Sequence, residues 1–160
     1  MKHYRVKNTG SRQELLSAID ASLLLGFQTV HAQFPVITDA EGELLPGSQS
    51  EIQKLWNLKG TMSPEDYVSA SEHAGEVFDL EFRKKTGLEY LFLKGRLLKD
   101  DNHDLLPDKL DVKFVLPEQI ERGMLLSACN LAFRFGMETT RYEGSLIAQN
   151  GYKGNVILFE

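Results

Sequence analysis

The chain has 160 residues, 42% hydrophobic and 26% charged, with a formal net charge of -5, which is enough apolar material for one core and too little length for two comfortable domains. The start, Met1-Lys2-His3-Tyr4, turns polar before any signal-peptide core could form, and no apolar run approaches the ~18 residues of a membrane span. With one cysteine, Cys129, an internal disulfide and a Cys-based zinc site are excluded, so a cytoplasmic single domain over 1–160 is expected.

Tyr4 to Lys7 reads as a short strand. Ser11 with Glu14 three residues on forms a capping box, opening a helix with Leu15, Leu16, Ile19, Leu23 and Leu24 as its apolar positions and Gly26 as its stop. Phe27 to Ile37 alternates as a strand, with Val30, Ala32, Phe34 and Val36 on one face and Thr29, His31 and Gln33 on the other, and Pro35 makes it an edge or a bend. Thr38 to Glu43 is turn chemistry, and Leu44-Leu45 returns as a brief arm.

Two helices are expected next, one capped by Ser48 and Glu51 with Ile52, Leu55 and Trp56 inside, the other opened by Ser63-Pro64-Glu65-Asp66 and running to about Lys85. Leu88 to Lys94 and Lys109 to Leu116 follow as strands. Pro117-Glu118 opens a last helix to about Phe135, and strands Thr140 to Gln149 and Asn155 to Glu160 flank an Asn150-Gly151 hairpin turn. This order predicts an α+β fold: a mixed or antiparallel sheet of about five to six strands packed on helices, ferredoxin-like (split β-α-β), with a helical insertion at about 46–87. No internal repeat of fixed period is evident.

Few residues suggest chemistry. His31 lies close in sequence to Asp39, Glu41 and Glu43, and a histidine oriented by a carboxylate is how a general base is built, which makes His31 and Glu41 the catalytic candidates of a small hydrolase. Asn130 and Arg134 lie on the polar stripe of the last helix with Gly123 and Ser127, which reads first as a thin solvent edge, next as a close helix contact, and last as one wall of a pocket that holds an anion on Arg134. Asp100, Asn102, Asp104 and Asp111 imitate calcium-loop spacing, but Leu105 stands where the loop needs glycine and Pro107 follows, so a solvated turn is the better account. Cys129 lies on the apolar face of its helix and reads as a buried small hydrophobe.

Residues 61–111 carry 12 acidic against 7 basic side chains and hold all of the net charge, which disfavours nucleic-acid binding; Arg83-Lys84-Lys85 reads as the cationic end of a helix. No cofactor or metal is called for. The absence of a catalytic signature favours a non-enzymatic binding or regulatory module. Its partner is another protein or a second copy, reached through a sheet edge or through the last helix, whose Met124, Leu125, Leu126, Leu131, Phe133 and Phe135 spread beyond one stripe.

Overall fold

The computed structural model describes residues 3–6, 10–39, 42–45, 91–92, 96–142 and 144–160. The two helices expected between 46 and 87, the helical insertion they make and Glu41 lie outside these. Within them are strands β1 (Tyr4–Arg5), β2 (Ile37–Thr38), β3 (Glu43–Leu44), β4 (Leu98–Lys99), β5 (Lys109–Leu110), β6 (Lys113–Val115) and β7 (Val156–Leu158), and helices α1 (Arg12–Phe27) and α2 (Arg122–Glu138).

The fold class is α+β. In place of one sheet of five to six strands, the described residues form three small ones, ordered β2-β1-β3, β4-β5 and β6-β7. The ferredoxin-like arrangement is not found: β1 pairs in parallel with both neighbours, β6 pairs in parallel with β7, and only β4 and β5 run antiparallel. On its other side β6 bonds to the 146–148 segment, where Phe114 N–H donates to the Leu146 carbonyl at 2.7 Å and Ala148 N–H to that of Phe114 at 2.9 Å. Lys109 to Leu116, expected as one strand, divides because β5 serves β4 and β6 serves β7.

The capping box of α1 forms as the sequence requires, with Ser11 Oγ accepting from Glu14 N–H at 3.3 Å and Ser11 N–H donating to the Glu14 carboxylate at 2.6 Å. Gly26 does not stop the helix. It lies inside the last turn, which ends at Phe27 and winds down as Gln28 and Thr29 donate to the Leu25 and Gly26 carbonyls. The strand expected over 27–37 therefore loses its first residue to the helix, and Val30 is 64% exposed where a core face was expected. Only Ile37–Thr38 at its end finds a partner strand.

Gly42, at the entry to β3, sits against the start of β1. At Gly42 (φ +117) a side chain would overlap the His3 carbonyl, so glycine is required by both conformation and space. The helix expected from Pro117 begins only at Arg122, because Leu116, Pro117 and Glu118 offer their carbonyls to the Arg12 guanidinium. The Asn150-Gly151 turn forms, with Gly151 at φ +84 and Tyr152 N–H on the Gln149 carbonyl. Its arms are not a hairpin, because each pairs with a different side of β6.

The core lies where α1 and α2 cross over these strands. Ile19, Leu23, Leu125, Phe133, Phe135, Phe114 and Leu146 are all nearly inaccessible. Of the apolar residues of α2 that spread beyond one stripe, Phe133 and Phe135 are covered within the chain: Phe133 packs on Tyr4 and Phe34, and Phe135 on Phe92 and Phe114.

Candidate functional site

His31 is exposed in the irregular segment after α1 and lines a cavity of about 400 Å³ with Tyr4, Leu25, Gln28, Thr29, Val30, Ala32, Val36 and Phe133. The segment leaves the helix with Thr29 Oγ1 tied back to the Leu25 carbonyl at 2.8 Å. Among the described residues no carboxylate lines this cavity. Asp39 instead pairs with Arg122 at the start of α2, and Glu43 sits exposed on β3 beside Tyr4. The imidazole and its proposed orienting carboxylates are therefore not brought together among the described residues.

Asn130 is used by the fold itself. Its Oδ1 accepts from Val36 N–H at 2.9 Å and Ile37 N–H at 3.0 Å, while its Nδ2 donates to the Ile37 and Leu126 carbonyls at 2.8 and 2.9 Å. With two acceptor and two donor bonds made, the amide is saturated. Arg134 pairs with Glu138 one turn on and stacks over Phe92, with its guanidinium carbon 5.4 Å from the ring centroid.

The loop after β4 bears out the turn reading of its acidic residues. Asp100 accepts from Leu105 N–H and Asp104 from Leu106 N–H, while Asn102 accepts from Asp104 N–H. Among the described residues no group of three His, Cys, Asp or Glu is placed to hold a metal ion.

A polar cluster that no sequence motif announced joins α1, β6 and the 142–146 segment. Lys113 Nζ donates to Tyr142 Oη at 2.7 Å and to the Ser145 carbonyl, and Tyr142 Oη donates to that same carbonyl at 2.8 Å. Asp20 Oδ1 accepts from Leu146 N–H at 2.7 Å. Burial raises the Asp20 carboxyl above its usual range, against opposing hydrogen bonds from Ser145 and Leu146 and the charge of Lys113. Burial also lowers Lys113, with Asp20 opposing, and raises Tyr142, with the charge of Asp20 adding to the rise. Beside it opens a cavity of about 340 Å³, lined by Asp101, Asp108, Lys109, Leu110, Lys113, Arg141 and Tyr142. The chemistry of the cluster is to satisfy buried polar groups and fix the 146–148 segment against β6.

The third surface is β7. Its pairing with β6 engages the main chain of Asn155, Ile157 and Phe159, with Lys113 N–H on the Asn155 carbonyl and Phe159 N–H on that of Val115, each at 3.0 Å. The amides and carbonyls of Val156 and Leu158 then point away from β6, and no described strand pairs with that edge. The side chains of Val156 and Leu158 are 49% and 57% exposed. No helix among the described residues is long and apolar enough to cross a membrane. Comparison with protein-family models, with curated proteins and with solved structures gave no match.

Proposed function

We propose that the chain is a non-enzymatic binding module that docks a polypeptide strand on the outer edge of β7, and that its partner is a second copy of itself. The observation that carries this reading is the coincidence, at Val156 and Leu158, of exposed apolar side chains with outward main-chain groups. Such an edge is a template for strand addition. The β7 sequence is also complementary to itself. An antiparallel pairing centred on Ile157 sets Val156 against Leu158 of the second copy, twice over by symmetry, and sets Glu160 against Gly154, next to Lys153. Apolar meets apolar, and no like charges oppose one another.

Light scattering at micromolar concentration, combined with matched substitutions, tests it. Val156→Lys and Leu158→Glu should each weaken the dimer alone and restore it when mixed, because this register places 156 opposite 158. Mixing Val156→Lys with Val156→Glu should restore nothing. A strictly monomeric chain whose Val156 and Leu158 amides exchange rapidly would remove self-pairing and leave the edge open to a foreign strand. Slow exchange in a monomer would remove strand docking altogether. The alternative, a small hydrolase with His31 as base, keeps only its cavity in its favour, since the described lining brings no carboxylate to the imidazole.

A further inference from the structure

We propose that the chain is a tandem duplication, in which residues 3–45 and 113–159 are two diverged copies of one strand-helix-strand-strand unit related by a pseudo-twofold axis between α1 and α2. In each unit the first strand becomes the centre of its sheet. The helix follows, and the chain returns twice in parallel, once on each side of that strand: β2 and β3 flank β1, and the 146–148 segment and β7 flank β6.

The correspondence is residue by residue. Adding 110 to a number in the first unit gives its counterpart in the second: Tyr4, which pairs with Ile37, falls on Phe114, which pairs with Ile147, and the helices begin at Arg12 and Arg122. Under that shift Leu15-Leu16-Ser17-Ala18 coincides with Leu125-Leu126-Ser127-Ala128, Gly26 with Gly136 and Thr29 with Thr139. The link to the last strand is longer in the second unit, where Ile157 takes the place of Glu43 as the outer partner of the central strand.

Contacts between the units repeat the symmetry, and this separates duplication from two chance uses of a common supersecondary motif. Asp20 of the first helix accepts from Leu146 N–H of the second unit. Asn130, its counterpart, accepts from Val36 N–H of the first, and Val36 is the counterpart of Leu146. Likewise a side chain at Gly26 would meet the Phe133 carbonyl, and one at Gly136 the carbonyl of Leu23, the counterpart of Phe133. Each helix therefore clips the returning strand of the other unit, as two subunits of a symmetric dimer would.

Two functional consequences follow. The segment after each helix lines a cavity, with His31 and Ala32 of the first answered by Arg141 and Tyr142 of the second, while the other lining residues do not correspond and give each cavity its own chemistry. The exposed edge of β7 has its counterpart at β3, where Leu44 is half exposed, as its counterpart Leu158 is.

A scan of all single substitutions in the full chain, read as the surviving folded fraction, tests the duplication independently of any dimer. The tolerance profile of residues 10–39 should correlate best with that of 120–149. Shifts of three or four residues to either side, which helical periodicity alone would favour, should correlate less well. Gly26 and Gly136 should be among the least tolerant matched pairs. A correlation no higher at 110 than at those neighbouring shifts would overturn the proposal.

Discussion

Gly26 and Gly136 face each other where α1 crosses α2. A Cβ at Gly26 would lie 3.0 Å from the Gly136 Cα, and one at Gly136 would lie 2.9 Å from the Gly26 Cα. Each would also overlap a backbone carbonyl of the opposite helix, which cannot swing aside as a flexible side chain could. Alanine is the better helix former by ~1 kcal/mol, but overpacking a close crossing typically costs about 1–3 kcal/mol. Gly26→Ala and Gly136→Ala should therefore each lower the denaturation midpoint, by similar amounts. An unchanged midpoint for either would mean that the helices sit farther apart.

Asn130 supports a second expectation. Asn130→Ala strips both partners from the buried Val36 and Ile37 amides, at ~1–3 kcal/mol for each donor left unsatisfied. Asn130→Asp keeps those acceptor bonds but, when ionised, sets a second oxygen against the Ile37 and Leu126 carbonyls; at acid pH, where the protonated carboxyl can donate to one of them, it should be the milder change. Equilibrium urea unfolding at acid pH ranks the two, and the reverse order would contradict the hydrogen bonding seen here.

The Asp20 carboxyl gives a pH dependence of known sign. Its folded-state pKa is raised, so its protonated form stabilises the fold below the ordinary value of 3.8, and that contribution is lost as pH rises through the higher folded value. Relative to Asp20→Asn, which can retain the acceptor bond to Leu146, the parent should lose stability as pH climbs out of the acid carboxylate range. Parallel slopes across that interval would show that Asp20 titrates normally.

Cys129 is fully buried and its thiol is pushed up to about 12 by desolvation, with a smaller opposing hydrogen bond from Ser22. Since the thiolate is the reacting form, iodoacetamide should modify the native chain only as fast as it opens. Alkylation followed by mass spectrometry, with and without denaturant, checks this. Rapid labelling in native buffer would place the thiol at the surface.

What the sequence disclosed was mostly local. Ser11 and Glu14 announced the start of α1 because a capping box is closed within three residues, and Asn150-Gly151 announced a turn for the same reason. Where each strand would pair was not legible: Phe114 meets Ile147 and Ile157, and no nearby residue specifies either choice. The segments from Phe27 and Thr140 alternate like strands, yet the helix claims the first residue of one and a single bridge holds the other. Asn130 was visible as a hydrogen-bonding residue on a helix face, but its partners Val36 and Ile37 lie on a distant strand. Asp20, Lys113 and Tyr142 come from three separate elements and match no motif. The repeated Leu-Leu-Ser-Ala was the one long-range signal present in the letters, and a comparison of the chain with itself would have found it.

The central place of β6 also bears on the order in which the molecule can be made. Both strands that sandwich it come later in the chain than it does, so a nascent polypeptide that has exposed Lys113–Val115 must wait for Leu158 before that sheet can close. At ~5–20 residues per second this leaves the apolar Phe114 strand without its β7 partner for about 2–9 s of synthesis. The β1 sheet has all its partners by Leu44. The amino-terminal unit is thus the first surface on which emerging α2 can settle, and substitutions that weaken it should be felt as lower yield of folded chain before they are felt as lower equilibrium stability.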